Sequence, residues 1–511
     1  MTALTPHQKQ FVLGPMPVSV RPGWVSIRLA ERLVLSHCPK LRVAPLQSLD
    51  GKDYWLLGLA VLADMPMTTI ADRFRLKNSN EIEDWTGFWA GKWALISASN
   101  CWQDASGCLG IYYRDAAGAF WISSSPALLS DHLPDTPRLA RIPWQVTHRM
   151  GIDWIPAPFT TREHVYKVLP QRTITPGTGA MRPISFAAAS GNAPMNDEAP
   201  VNDDALASAF KTALINWAQE DFRERLVGLT AGLDTRTILA AASAANLDVE
   251  ACTINYSDAD RRDIALPPRL AASVGIPHRR ITHPDPALDP SEIQARAAAI
   301  AEHMDDSTFH PVSASVADGL EGFMHDSGRT IAGGHVLGLA RCYNWKRFAR
   351  AGFAETLPSA DQLLDAFFTR APEPPHVWKP EPRPFWKEAM QLWINSLSDP
   401  VPLKLDWRDR FQLEQRVGAW NSGLERMSDL MDGTYFYPGN CLWIFHLLLQ
   451  DPPEKRLVGS AQKRVIQLLE PRLSKFPVDA ASTGVKSKMR ALLGPVVTGK
   501  LKSLAKKLKG R

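Results

Sequence analysis

The stretch that most constrains this fold is Arg225-Leu226-Val227-Gly228-Leu229-Thr230-Ala231-Gly232-Leu233-Asp234-Thr235-Arg236, which runs into Ile238-Leu239-Ala240-Ala241-Ala242. An apolar β-type run, a turn of hydroxyls and glycine, and then a helical run aim backbone N–H groups and a helix amino terminus at one point. Such a point attracts anions. The plainer alternative is an ordinary helix cap formed by Asp234 or Thr235. The sequence on either side decides which reading is taken further.

From about residue 205 the chain alternates helical and strand patterns. Ala205 to Gln219 reads as a helix, 226–236 as the strand and loop, and the run to about 245 as a second helix. Val249-Glu250-Ala251-Cys252-Thr253-Ile254 reads as a strand, Ile264 to Ser273 as a helix, and Arg279-Arg280-Ile281-Thr282 as a third strand. Strands alternating with helices of this length imply right-handed crossovers and a parallel sheet, whose ligands sit at the carboxyl ends of the strands. The turn at 230–236 falls at such an end.

Residues 1 to about 185 follow a different rhythm. Val25-Ser26-Ile27-Arg28-Leu29, Trp55 to Val61, Lys92-Trp93-Ala94-Leu95-Ile96 and Ala119-Phe120-Trp121-Ile122 are short, branched or aromatic, and separated by turn residues. They predict a sheet-built domain. Between the two halves, 187–204 is small, polar and turn-prone, and is the best linker. The expected division is therefore 1–186, 205–480 and a tail at 486–511. Length agrees: 511 residues suffice for roughly two to three cores.

Charge points away from a nucleic-acid groove. The segment from Lys486 to Arg511 holds nine Lys or Arg and no acid, so removing it takes the formal charge from +5 to −4. Leu501, Leu504, Ala505 and Leu508 among the lysines there predict a basic amphipathic helix, either a solvated terminus or a contact with a membrane surface or protein. Six scattered cysteines lack metal or Cys-x-x-Cys spacing and read as reduced thiols. With no signal-peptide pattern and no run approaching about 18 apolar residues, the expected location is cytoplasmic.

The loop at 229–236 resembles the Ser-Gly-Gly-x-Asp-Ser loop of the ATP pyrophosphatase superfamily, with threonine for both serines and alanine for the first glycine. On its βαβ unit the chain looks like the asparagine synthetase family in the broad sense, including β-lactam synthetases and lasso-peptide macrolactam cyclases. Asp258-Ala259-Asp260-Arg261-Arg262-Asp263, closing on Gly275-Ile276-Pro277-His278, resembles the family's second strand, acidic turn and helix. Arg426-Met427-Ser428, Tyr437-Pro438, the run Leu442 to Leu449 and Gln462-Lys463-Arg464 resemble its carboxy-terminal helical core. Residues 88–127 resemble its amino-terminal glutaminase-like domain. The resemblance implies an α/β protein: an Ntn-type glutaminase-like sandwich, then a parallel-sheet ATP pyrophosphatase domain with a helical carboxy-terminal part.

Two departures limit what carries over. A working glutaminase of this class uses a cysteine as its mature first residue, whose α-amine is the base for its own thiol. Here position 2 is Thr2 and the first cysteine is Cys38. The family's second phosphate loop falls at Ala332-Gly333-Gly334-His335-Val336-Leu337-Gly338, where glycines remain and both acids are gone. Hard Mg²⁺ prefers oxygen ligands, which His335 does not offer.

The resemblance implies ATP and Mg²⁺ as cofactors and assigns residues to them. Leu229, Thr230, Gly232, Asp234, Thr235, Thr253, Gly333 and Gly334 would line the nucleotide, Asp234 would ligate the metal, and Asp234 and Lys463 would serve the chemistry. Arg341, Lys346 and Arg347 form a nearby cationic group, and Asp260 and Asp263 are replacement acids. The expected reaction is ATP-dependent amide formation, in which a carboxylate is adenylated and an amine attacks, intermolecularly or to close a lactam. Two other readings stay open: an ammonia-using asparagine-synthetase-like enzyme, and a non-catalytic relative that binds nucleotide or a partner. The expected partner is a small-molecule or peptide substrate.

Overall fold

A computed structural model describes residues 4–116, 118–134, 136, 139, 154–190, 202–254, 264–281, 290–304, 324, 326–353, 356–368, 383–403 and 405–478. Thr2, the acidic turn holding Asp260 and Asp263, and the basic tail lie outside the described residues.

The first half builds twelve strands: β1 (Phe11–Gly14), β2 (Val25–Ala30), β3 (Leu33–His37), β4 (Val43–Gln47), β5 (Asp53–Leu62), β6 (Trp89–Ile96), β7 (Cys101–Gln103), β8 (Tyr112–Ala116), β9 (Ala119–Ser123), β10 (Tyr166–Lys167), β11 (Arg172–Ile174) and β12 (Met181–Pro183). They form two antiparallel sheets, ordered β10-β8-β9-β1-β3-β2 and β12-β11-β7-β6-β5-β4. Alternation sends Leu35, Ile122 and Leu13 of the first sheet against Leu57, Ala94 and Ile96 of the second, and this shared apolar layer makes the pair a sandwich.

The second half carries a parallel sheet. Its strands are β13 (Glu224–Gly228), β14 (Glu250–Ile254), β15 (His278–Ile281), β16 (Arg329–Ala332) and β17 (Thr434–Phe436), in the order β15-β14-β13-β16-β17. Each central strand is buried on both faces. Val227, Ala251 and Ala332 face the core shared with the helices Asp203–Ala218, Leu233–Ala244 and Ser460–Leu469, whereas Leu226, Cys252 and Ile331 face a smaller cluster with Met324 and Met431. Burial on both faces is why these strands read as continuous apolar runs.

The strands at 249–254 and 279–282 and the helix at 205–219 lie within two residues of their expected bounds. The segment proposed as a linker begins instead with a short helix, Ala187–Ser190, before the helix Asp203–Ala218 starts on its Asn202 cap, whose side chain accepts from Ala205 N at 2.9 Å.

The halves are joined by buried polar contacts. At Gly91, φ is +130°, and a Cβ there would stand 2.2 Å from Leu59 O across the β5–β6 pair. Only glycine fits that close approach. The freed peptide turns to the second half: Gly91 N donates to Asn440 O at 3.2 Å, and Asn440 Nδ2 donates back to Gly91 O at 2.6 Å. Asn440 Nδ2 also reaches Asp104 Oδ1 at 2.8 Å, a carboxylate that accepts from the backbone of Cys108 and Leu109 as well. Beside it, Lys92 Nζ pairs with Asp429 at 2.7 Å with both side chains buried. Removing one partner of a buried pair strands the other, so the sandwich and the parallel sheet are committed to one another.

All six cysteines are free and buried. Among the described residues no helix is long and apolar enough to cross a membrane.

Candidate functional site

In the order β15-β14-β13-β16-β17 the strand sequence reverses between β13 and β16. At such a switch point the crossovers leave to opposite faces and open a crevice at the carboxyl ends of the strands. The loop after β13 and the loop after β16 are the two stretches singled out as phosphate loops, and they touch. A Cβ at Gly334 would meet the Asp234 backbone carbon at 2.9 Å and Thr235 N at 3.1 Å.

The first loop is fastened from behind. Leu229 N donates to Cys252 O at 2.7 Å, and Leu229 O accepts from the Thr253 hydroxyl at 2.8 Å. Since that hydroxyl gives its proton to Leu229, it accepts from His278 Nε2, 2.9 Å away. Burial lowers the His278 pKa below its usual value, only partly offset by the Glu250 carboxylate. Thr253 thus serves as a clamp between β13, β14 and β15, with its hydroxyl spent on protein groups.

At the tip, the hydroxyls engage one another. Thr230 N donates to Thr235 Oγ1 at 3.0 Å, the two hydroxyl oxygens are 3.1 Å apart, and Gly232 N donates to Thr230 Oγ1 at 3.2 Å. Gly232 is the N-cap of the helix Leu233–Ala244, and Asp234 lies in its first turn. The ring of contacts shapes the loop, and an incoming phosphate would exchange with it. Below the tip, the fully buried Arg236 donates to Ala231 O at 3.0 Å, Phe476 O at 2.9 Å and Pro477 O at 3.1 Å. Its charge ties the loop to the carboxy-terminal segment through backbone carbonyls. Nothing in the sequence pattern distinguished this arginine from a surface one.

Asp234 has a partner that sequence reasoning missed. Gln462 Nε2 donates to Asp234 Oδ1 at 2.5 Å. Gln462 belongs to the helix Ser460–Leu469, whose N-cap is Gly459 at φ +69°. A Cβ on Gly459 would lie 2.5 Å from Leu233 and 3.9 Å from Arg341 Nε, so this helix start stands against the start of the other. Two helix amino termini therefore flank the crevice, and their partial positive charges add.

The neighbouring residues divide by helical phase. Arg464 turns away to Asp203 at 2.7 Å and Asp451 at 3.0 Å, whereas Lys463, one step from Gln462, is exposed. The cationic group after the second loop also separates: Arg341 stands beside Gly459, Arg347 Nε bonds Ala366 O at 3.1 Å, and Lys346 is exposed.

In the second loop Gly333 N donates to Phe436 O at 2.9 Å, continuing the β16–β17 ladder. His335 follows with its side chain 55% exposed, Nδ1 3.7 Å from Glu425 Oε1. Burial raises the Glu425 pKa above the ordinary carboxylate value. Glu425 is an acid beside this loop that the sequence reading overlooked, because it comes from the separate helix Ser422–Met427.

The oxygens around the first loop, from Asp234, Thr230 and Thr235, are hard donors that suit Mg²⁺. Among the described residues no second His, Cys, Asp or Glu pair gathers at ligand distance around Asp234. The donor set therefore fits a magnesium ion held by one carboxylate together with substrate phosphates.

No family model matches the chain, and no curated protein sequence matches it. Among solved structures it is similar to a glutamine phosphoribosylpyrophosphate amidotransferase from B. subtilis in complex with ADP and GMP, at 10% identity over 64% of this chain and 69% of that one. The TM-score is 0.20, too low for this likeness to bear on fold or function. The class is set by the chain's own architecture: an antiparallel β sandwich followed by a five-stranded parallel α/β sheet with a crevice at its switch point.

Proposed function

We propose that this protein is an ATP-dependent, AMP-forming amide ligase of the asparagine synthetase type, whose amino-terminal half is a glutaminase-like sandwich. The observation that carries the reading is the contact of Gly334 with Asp234, which brings both loops of the expected nucleotide site together at the switch point.

In this reading ATP lies in the crevice with its phosphates toward the two helix starts. A substrate carboxylate oxygen would attack the α-phosphorus, the bond from that phosphorus to the α,β-bridging oxygen would break, pyrophosphate would leave with its electron pair, and an acyl-adenylate would form. An amine then attacks the acyl carbon and AMP departs with the bonding electrons, while the amine's proton passes to a base or to water. Magnesium, held by Asp234 and the phosphates, would supply charge neutralisation. The chain's residues do the positioning: Gln462 fixes the Asp234 carboxylate, Arg236 and Thr253 hold the loop, and the exposed Lys463 meets charge developing during transfer. In this reading the amine belongs to the substrate itself or is free ammonia. A lactam-forming small molecule or peptide fits best.

A non-catalytic nucleotide-binding relative is the second reading, favoured by the absent acids near 334 and 337.

The test needs no substrate identity at the outset. Full-length protein with ATP and Mg²⁺ is offered pooled amino-acid and peptide carboxylates, and exchange of labelled pyrophosphate into ATP is followed. Exchange that needs a carboxylate and is lost by at least about a hundredfold in Asp234→Asn supports the ligase. ATP binding without exchange or AMP supports the second reading. Exchange undiminished in Asp234→Asn removes the loop from the chemistry.

A further inference from the structure

Three residues far apart in the sequence meet where the amino-terminal segment packs against the helix Pro290–Met304. They are His7, His132 at the end of the helix Pro126–Asp131, and Glu302. Each offers one ligand atom, and the three atoms lie within 4.8 Å of one another.

The hydrogen bonds around His7 fix its tautomer. Gln10 Nε2 donates to His303 O at 3.3 Å, and a carbonyl can only accept, so the amide nitrogen of Gln10 faces that way. Its oxygen then faces His7, with Oε1 2.9 Å from Nδ1. Nδ1 carries the proton, and Nε2 is a bare lone pair. His7 is 1% exposed, and among the described residues Nε2 has no hydrogen-bond partner. Glu302 Oε1 stands 3.4 Å from it, outside hydrogen-bond alignment. A buried, unpartnered lone pair thus faces an exposed carboxylate oxygen, an arrangement that a cation between the two would satisfy.

The spacing suits one. A tetrahedral ion with bonds of about 2.0 to 2.2 Å holds neighbouring ligand atoms about 3.3 to 3.6 Å apart. An imidazole that donates Nδ1–H to a carbonyl oxygen while presenting Nε2 has the outer-shell support usual for metal-bound histidine. His303 is not a fourth ligand: its Nδ1 accepts from His7 N at 2.9 Å and its Nε2 donates to Arg426 O at 2.8 Å.

We propose that His7, His132 and Glu302 form a binding site for one transition-metal dication of the zinc type, which staples the amino-terminal segment to the helix Pro290–Met304. Two imidazoles and a carboxylate favour such an ion over magnesium or calcium. His132 supplies the third corner, and the fourth faces solvent beside Glu302, whose side chain is 47% exposed. Arg21 Nη2 approaches the same Glu302 oxygen at 3.2 Å from the exposed side and competes with the ion. The site is independent of the ligase reading.

The experiment uses full-length protein stripped with chelator and titrated with Zn²⁺ or Co²⁺. One equivalent should bind, Co²⁺ should show the intense visible bands of a four-coordinate ion, and Zn²⁺ should raise the melting temperature. His132→Gln and Glu302→Gln alter partly exposed side chains and should fold, yet each should weaken zinc binding at least about tenfold. Arg21→Gln should tighten it, and Asp234→Asn should leave it unchanged. Absence of stoichiometric binding, or equal affinity in wild type, His132→Gln and Glu302→Gln, overturns the proposal.

Discussion

Gly334 packs directly onto the backbone of Asp234, 2.9 Å from its carbonyl carbon to where a Cβ would stand. Backbone cannot swing aside as a side chain can. Gly334→Ala should therefore separate the two loops and cost about 1 to 3 kcal/mol, as overpacking does. At Gly333 the neighbours are the side chains of His335 at 3.2 Å and Tyr437 at 3.4 Å, and exposed His335 can move. Chemical denaturation should show Gly333→Ala closer to wild type than Gly334→Ala, and ATP affinity should fall only at 334. Equal effects at both positions would mean that the loops are not in register as described.

Burial of His278 beside Thr253 makes the fold around the first loop sensitive to acid. The folded-state pKa of His278 is lowered by burial, so below the ordinary value near 6.5 the unfolded chain binds a proton that the folded chain refuses. Its contribution is intact above that pH and is lost as pH falls through the window between 6.5 and the lowered folded value. His278→Gln keeps a donor for Thr253 and does not titrate. Stability measured at pH 7.5 and at 5.5 should drop less in that variant than in wild type. An identical drop would take His278 out of the acid response.

How much of this was legible beforehand depends on range. Strand β13, its loop and the following helix were readable because their signals are local: Leu226-Val227 for a strand buried on both faces, Gly232 and Asp234 for a helix start. The pairing of Asp234 with Gln462 was not, since no local pattern reports a contact between residues that distant, and attention fell on Lys463 one position along. Arg236 and Glu425 were missed for a related reason: a lone charge in sequence reads as solvated, and only packing reveals it as buried. Thr253 was placed correctly on its strand, but the direction of its hydroxyl depends on His278, which the sequence had marked only as part of a Gly-x-x-His element. His7, His132 and Glu302 escaped notice because ligand spacing is recognisable only when ligands share an element.

Glutamine should not serve as the nitrogen source. Burial raises the pKa of Cys101, Cys108 and Cys441, so these thiols stay protonated and are poor nucleophiles. Glutamate release from glutamine should match the control without protein. Sustained release that depends on this chain would show that another group supplies the nucleophile.

Lys463 provides the sharpest test of where the chemistry lies. It follows Gln462, whose amide grips Asp234, and it is exposed at the start of a helix that borders the crevice. A solvated helix lysine and a lysine that meets transition-state charge look alike until kinetics separates them. A group that acts on charge appearing only in the transition state alters kcat far more than ground-state affinity. Lys463→Met should therefore bind ATP nearly as well as wild type, keep its melting temperature, and form product at least about a hundredfold more slowly. Lys463→Arg should rescue poorly, because a planar guanidinium does not replace a compact ammonium. Loss of ATP binding in step with turnover would make the lysine a phosphate anchor, and no change in either would leave it a surface charge.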